Sequence, residues 1–511
     1  MSTSLRKLVV ISSAVWVAGC ATVDFDYPKS ESFALADTGD TYLGRNLADF
    51  VATHPGESGF YPVYDGIDSL ALRLLMIQQA ERTIDAQYFL IHDDLVGNVF
   101  LSALVQAADR GVRVRFLLDD IQAGGYEEGL AALETHENLE IRIFNPLGNR
   151  SVKALNVFSM SRISRRMHNK SLTVDNQMTL IGGRNIANEY FDANPGEKFG
   201  DLDVLTIGPI VPEVSAMFDS YWNHQAAMPM PALVEVPEDA AERLATYVDR
   251  VSERREELEA SKYAAAVDSS ILDFVQTDAS AFIFADYQLV FDSPDKAVPD
   301  KVDSIETITT QLSGSIMNAE KELFVVTPYF VLAKDNIEGF RELRGRNVEI
   351  TVLTNSLASN NHAISHSGYI PSRKPMLEMG TNMYELRAST TMPSDQTKGI
   401  QEAKATLHAK VFAVDRERIF IGSFNWNQRS VNLDTELGVI IHSPEIATEF
   451  VELVSAGLPE QSYHVFLNEK NKVRWKGIDD GQEVILTKEP QSGFGRRFNA
   501  GFLRIVPNSQ L

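Results

Sequence analysis

At 511 residues the chain has room for two domains of ordinary size, or for two halves that share one core. Hydrophobic residues make up 44% and charged residues 23%, a balance that excludes wholesale disorder. The net charge of −23 repels nucleic acid at long range and argues against a nuclease unless a local basic patch overrides it.

The first element in the chain is a leader. "MSTSLRKLVVISSAVWVAGC" sets Arg6 and Lys7 ahead of a short apolar run, Leu8 to Ala18, that is too brief to span a bilayer comfortably. Val17-Ala18-Gly19-Cys20 resembles the lipobox of bacterial lipoproteins, in which cleavage leaves the cysteine as the lipid-bearing N-terminus. Cys20 is the only cysteine, so a disulfide within the chain is impossible, and the one thiol stands where acylation would occur. The resemblance implies a signal peptide over 1–19, lipidation of Cys20, and an anchor and linker over 20–55. Several acyl chains at one site hold a protein to a membrane far better than one chain does. Ala21 follows the cysteine, where an aspartate would suggest inner-membrane retention. The expected location is the bacterial cell envelope, lipid-anchored on the periplasmic side, at the outer rather than the inner membrane. No other apolar run between Thr22 and Leu511 reaches membrane-spanning length.

Past the leader, the body says everything twice. "RTIDAQYFLIHDD" (Arg82 to Asp94) is matched by "KELFVVTPYFVLAKD" (Lys321 to Asp335), with Tyr88-Phe89 aligned to Tyr329-Phe330, and "GVRVRFLLDD" (Gly111 to Asp120) by "NVEITVLTNS" (Asn347 to Ser356). "NLEIRIFN" (Asn138 to Asn145) is matched by "TNMYELR" (Thr381 to Arg387), and "MHNKSLTVDNQMTLIGGRN" (Met167 to Asn185) by "LHAKVFAVDRERIFIGSFN" (Leu407 to Asn425). The offsets are 241, 236, 243 and 240 residues, so order and spacing are kept throughout. "DSLALRLLMIQQA" and "NVFLSALVQAADR" carry helical periodicity. The β-branched runs between them read as buried strands of a mixed or parallel sheet with covered faces. The fold class is α/β: two duplicated halves, each a mixed sheet flanked by helices. Their expected spans are 56–232 and 301–460, joined by a helical and loop segment over 233–300. Within that segment Glu235 to Ala266 is a charge-rich helix candidate and Asp292 to Ser304 a loop by composition. The tail, 461–511, holds short strand candidates, "YHVFL", "VRWKG" and "EVILTKEP", expected to form a hairpin on the second half.

The fourth match carries the chemistry. Side chains two apart on a strand share a face, so His168 neighbours Lys170 and His408 neighbours Lys410. Leu172 and Val174, and Phe412 and Val414, continue those faces as apolar residues. Asp175 and Asp415 fall on the opposite parity and are expected to brace a turn. A returning strand ending in small residues brings Asn185 and Asn425 back towards the histidines. One copy supplies an imidazole, an ammonium and an amide, which is half a site. Two copies face to face suit a phosphate diester: the lysines neutralise its non-bridging oxygens and the asparagines donate to the same oxygens. One imidazole attacks phosphorus while the other protonates the leaving oxygen. A nucleophilic imidazole needs its second nitrogen held by an acceptor, and Asp203 in "FGDLDVLTIGP" and Glu436 in "NLDTELGVI" are the candidates, with Asp201 competing with Asp203.

The two HxKxxxxD…G[GS]xxN copies resemble the paired HKD motifs of the phospholipase D superfamily, over about Gly59 to Ser443. "GGRNIANEYF", "DLDVLTIGP", "GYIPSRKPML" and "NQRSVNLDTELGVI" resemble its bacterial cardiolipin synthase C-type branch in particular. The resemblance implies an active site at the interface of the halves, a covalent phosphohistidine and no metal or other cofactor. On that analogy His168 is the nucleophile and His408 the general acid and then base, the reverse assignment being the alternative. The implied activity is phosphatidyl transfer, making cardiolipin from phosphatidylglycerol and a second phospholipid. The partners are membrane phospholipids, phosphatidylglycerol and phosphatidylethanolamine, with no nucleic acid. The first rival is a hydrolytic phospholipase D that releases phosphatidic acid. A nucleic-acid phosphodiesterase and a non-catalytic lipid-binding lipoprotein rank below it. Familiar transmembrane cardiolipin synthases begin with membrane-spanning helices, whereas this chain begins with a lipobox.

Two further clusters stand outside the repeat. His362 and His366, four apart in "NNHAISHSGY", are weighed as a metal pair or, with Tyr369, Arg373 and Lys374, as lining of a headgroup pocket. Lys153, Arg162, Arg165 and Arg166, interleaved with Leu155, Val157, Phe158 and Met160, form either a solvated basic loop or a loop facing anionic lipid.

Overall fold

Helix starts are written plainly into the first half. Asp65 accepts from the backbone N–H of Ile67 and Asp68 and opens the helix Gly66–Gln79, while Asp94 caps Leu95–Asp109 through Gly97 N–H. The strands between these helices are buried on both faces, as the unbroken apolar runs require. The computed structural model describes residues 23–121, 127–148, 160–193, 197–246, 281–361, 363–391, 402–479 and 481–503. The expected signal peptide, Cys20, Lys153, Leu155, Val157 and Phe158, most of the charge-rich helix candidate, and His362 lie outside the described residues.

In chain order the strands of the first half are β1 (Ser58–Val63), β2 (Thr83–Tyr88), β3 (Arg113–Asp119), β4 (Leu139–Phe144), β5 (Ser171–Val174), β6 (Met178–Gly182), β7 (Glu197–Gly200), β8 (Asp203–Ile207), β9 (Ala227–Pro229) and β10 (Ile283–Ala285). Those of the second are β11 (Tyr287–Phe291), β12 (Glu322–Val326), β13 (Glu349–Asn355), β14 (Asn382–Leu386), β15 (Ser389–Thr391), β16 (Glu402–Leu407), β17 (Val411–Val414), β18 (Arg418–Gly422), β19 (Leu437–Ile441), β20 (Ser462–Leu467), β21 (Val473–Asp479) and β22 (Gln482–Leu486). Among the described residues the first sheet runs β10-β1-β8-β6-β5-β2-β3-β4-β9, and the second β11-β19-β18-β17-β12-β13-β14-β20-β21-β22. The middle six strands correspond one to one. In both sheets three parallel strands continue into an antiparallel set that carries the motif. The fold is therefore two duplicated mixed sheets flanked by helices. The tail strands β20 to β22 continue the second sheet beyond β14.

The halves share one core. Phe60, Phe144, Ile181, Val204 and Trp222 of the first pack in one cluster with Phe324, Val411, Ile421, Leu437 and Phe450 of the second. A small third sheet stitches them, because β7 pairs in parallel with β16 and so leads straight to His408. On the other side of the pseudo-twofold, Met167 bridges Thr435.

The segment from Lys29 to Asp37, expected as part of a linker, is bound to the first half. Lys29 donates to the carbonyls of His224 and Ala227, and Arg142 and Arg115 donate to the carbonyls of Ser30 and Ser32. Ala34 N–H donates to Asp219, and Arg82 to the carbonyl of Asp37. Among the described residues no helix is long and apolar enough to cross a membrane.

Candidate active site

Each motif histidine stands just before a central strand, β5 or β17, on a segment tied to the other half. His168 N–H donates to the carbonyl of Thr435 (2.9 Å), and His408 N–H to the carbonyl of Gly200 (2.8 Å). The rings repeat the exchange. His168 Nδ1 lies 2.8 Å from Glu436 Oε2, and His408 Nδ1 lies 2.6 Å from Asp201 Oδ2. Both acceptors come from the opposite half. The expectation of Asp203 as the first-half acceptor is corrected by this geometry. Asp203, fully buried, instead accepts from Arg73, Arg184 and Ser69 and serves as the core's ionic centre. Strand register explains the swap: Gly182 pairs with Asp203 and Gly422 with Gly438, so the true counterpart of Glu436 is Asp201.

Orientation by Nδ1 leaves Nε2 as the nitrogen for chemistry on each ring, with Lys410 Nζ 3.1 Å from that of His408. Phe89 meets the His168 ring edge-on at 5.0 Å, and Tyr190 meets His408 at 4.9 Å. These aromatic walls were not singled out from sequence, although the aligned Tyr88-Phe89 pair was the available signal. Tyr190 Oη also takes the amide nitrogen of Asn185 (3.0 Å). The amide oxygens of Asn185 and Asn425 are buried and unpartnered among the described residues.

Lys170 and Lys410, each 1% exposed, donate to the carbonyl oxygens of their own motif histidines. Lys170 Nζ lies 5.3 Å from the centre of the Phe89 ring, and Lys410 Nζ lies 2.8 and 3.1 Å from the two nitrogens of His408. Burial weakens both ammonium groups. Burial lowers Lys410 to about 8, and burial with repulsion from Lys410 lowers Lys170 well below its usual range. Burial and then the same two cations push His168 far down and His408 to about 3. Two buried ammonium groups beside the paired imidazoles suit an anionic substrate group.

The carboxylates behind the rings differ. Burial pushes Asp201 up, but Lys410 and His408 outweigh it and hold the carboxyl well below the usual range. Burial pushes Glu436 up to about 7 against the pull of Lys170 and the hydroxyls of Ser423 and Ser430, both 2.5 Å away. Ser423 stands where the first half has Gly183. A Cβ at Gly183 would collide with the Asp201 carboxylate, which explains the small residue there.

Asp175 and Asp415 lie away from the ring pair. Asp175 accepts the backbone N–H groups of Glu81, Arg82 and Thr83, and Asp415 those of Glu320, Lys321 and Glu322. Both sit at positive φ, 51° and 57°, in the tight turn between motif strands. They brace β2 and β12 and touch no catalytic group. His366 and Arg373 do not line a headgroup pocket. Both are buried in a closed network with Glu385 and Glu489, in which Tyr369 donates to Glu385. Of the basic stretch, Arg166 is buried against Asp119, and Arg165 donates to the carbonyls of Lys296 and Asn432, so these two bind protein. His92, Asp94 and Glu189 bring possible metal-ligating atoms within 4.8 Å of one another. Asp94 there is committed to helix capping, accepting from Gly97 and Asn188 N–H.

The family described as "Cardiolipin synthase, PLD-like domain" matches residues 74–222 and 312–456. Cardiolipin synthase C of Escherichia coli (strain K12) is 34% identical over 469 residues, which are 91% of this chain and 98% of that protein. An uncharacterized protein of Helicobacter pylori (strain J99) is 29% identical over 99% of this chain and all of its own length. Among solved structures, the phosphatidylserine synthase of Haemophilus influenzae Rd KW20 shares the fold, with a TM-score of 0.53 at 12% identity over 83% of this chain and 92% of that one.

Proposed function

The chain belongs to the cardiolipin-synthase-type family of phospholipase D-like proteins, and on that footing we propose that it moves phosphatidyl groups between membrane phospholipids and so makes cardiolipin. His168 Nε2 attacks the phosphorus of a first phospholipid, and the bond from phosphorus to the headgroup alcohol oxygen breaks. His408 gives that oxygen its proton, which leaves the phosphatidyl group on His168 as a phosphohistidine. The hydroxyl of a phosphatidylglycerol then attacks, His408 takes its proton, and the phosphorus–nitrogen bond breaks. Lys170 and Lys410 hold the non-bridging oxygens, with Asn185 and Asn425 beside them. The phosphate charge offsets the two ammonium groups, so its arrival raises the proton affinity of both imidazoles and allows His408 to enter protonated.

The observation that carries this reading is the exchange of acceptors. Each imidazole is held by a carboxylate of the other half, His168 by Glu436 and His408 by Asp201. Neither half completes a site alone. Asp201, firmly ionised, supports an imidazolium at His408 and so favours that ring as the acid. The relatives' printed names support the lipid substrate. Anchoring through Cys20 would hold this site against the envelope leaflet that supplies its lipids, with phosphatidylglycerol as acceptor and phosphatidylglycerol or phosphatidylethanolamine as donor.

Purified protein with vesicles of phosphatidylglycerol and phosphatidylethanolamine tests the reaction. Cardiolipin should appear with stoichiometric glycerol or ethanolamine, whereas phosphatidic acid as sole product would assign hydrolysis instead. Acyl labelling of the chain, abolished by Cys20→Ala, tests the anchor.

A further inference from the structure

The last described helix, Phe494–Phe502, is amphipathic the wrong way round for a helix packed on a core. Phe494, Phe498 and Phe502 are 78%, 66% and 59% exposed, while Ala500 between them is 1% exposed. At about 100° per residue the three phenylalanines fall within one outward stripe of about 80°, and Ala500 and Arg496 fall opposite it. The helix rests on the helix Ala363–Glu378. Arg496 pins it, donating to the carbonyl of Asn360 at 2.5 Å.

Its setting adds two observations. From Pro490 to Leu511 the sequence holds three arginines, 496, 497 and 504, and no aspartate or glutamate, in a chain whose net charge is −23. The helix is also tied, through Arg496 and the Asn360 turn, to the strand that leads to His408. The Asn360 turn is bonded through the Ser359 carbonyl to Thr406 Oγ1 (3.0 Å), two residues before His408. An aromatic stripe exposed among the described residues, in an arginine-bearing segment without acids, on a protein otherwise repelled by anionic lipid, fits a bilayer interface.

We propose that the helix Phe494–Phe502 is a membrane-docking element, which inserts its three phenylalanines into the interfacial layer of an anionic phospholipid bilayer and sets the active-site mouth against it. The inference rests on the lipid-substrate reading only for its purpose, and docking is measured apart from turnover.

The probe is a Phe498→Trp full-length chain with vesicles of phosphatidylglycerol and phosphatidylethanolamine carrying brominated acyl chains, the parent chain's emission being subtracted. Vesicles should shift the added emission to shorter wavelength, and the bromines should quench it. A Leu453→Trp control on the helix Pro444–Gln461, also exposed, should not respond. The response should persist with His168→Ala, so a failed transferase reading leaves it intact. In a Cys20→Ala chain, which carries no anchor, replacing all three phenylalanines by serine should weaken vesicle partition at least about 100-fold. Thermal unfolding should be unchanged, because the three rings face solvent. Unchanged Phe498→Trp emission on vesicles would overturn the proposal, as would a shift that appears without vesicles and grows with protein concentration, which assigns the stripe to a second copy.

Discussion

The two halves present the same histidine, lysine and asparagine and differ in the carboxylate that each lends to the other half's imidazole. In the first, the short carboxylate of Asp201 closes over Gly183 and is held ionised by the cations it faces. In the second, the longer Glu436 is wrapped by Ser423 and Ser430 and lifted to about 7 by burial. Because each carboxylate serves the other half's histidine, the difference divides labour: Asp201 supports a charged His408, and Glu436 orients a neutral His168. Duplication supplies two copies of a half-site, and divergence in the carboxylates makes the copies unequal.

The bluntest way to break this comparison is to remove one imidazole. His168→Ala and His408→Ala should each cost at least about 10⁴-fold in phosphatidyl transfer, measured by lipid product analysis. Substantial turnover from either variant would mean that one half suffices. The comparison is sharpened by the carboxylates. Asp201→Asn should cost about 10³-fold in kcat, but Glu436→Gln only about 10-fold, since the buried Glu436 is already half-protonated near neutral pH. Equal losses would contradict the assigned division.

Stability should also separate the halves. Asp203 neutralises the buried Arg73 and Arg184, and its register counterpart is Gly438, so Asp203→Ala should cost about 3–5 kcal/mol in denaturant unfolding. Asp175→Ala should cost about 2 kcal/mol and Asp415→Ala about 1, because Asp175 is fully buried and Asp415 is not. The smallest effect is a pH slope. His408 binds its proton in the unfolded chain near pH 6.5 but in the folded one only near 3, so the unfolded state holds more protons between those values. Stability must then fall as pH falls through this window, by about 1 kcal/mol between pH 7 and 5.5 from His408 alone. His408→Gln should flatten that part of the melting curve.

The duplicated ruler was readable because side-chain period and repeat offset both act along the chain. His168, Lys170, His408 and Lys410 needed no coordinates to be grouped, and the duplicated mixed sheet follows from the same repeats. Asp175 and Asp415 were readable by parity as turn braces. The exchange of acceptors was not readable, since it depends on how two sheets face each other. Asp201 and Asp203 share strand parity, and distant partners separate them: Arg73, 130 residues away, holds Asp203, and His408 of the other half takes Asp201. The segment from Lys29 to Thr38 escaped notice because an extended chain held through its carbonyls carries no periodicity. Glu489 similarly closes the His366–Arg373 network from the tail, at a separation no local pattern reports.

The central claim is one phosphorus served by both halves, with His168 bonded to it in between. Its most direct test is rapid acid-free quenching of the His408→Ala protein with a phosphatidyl ester whose headgroup is a good leaving group, such as a nitrophenol, followed by peptide mass spectrometry. A phosphatidyl adduct should accumulate on the peptide containing His168. An adduct on His408 in the reciprocal His168→Ala protein, with none on His168 in the His408→Ala protein, would contradict the assignment.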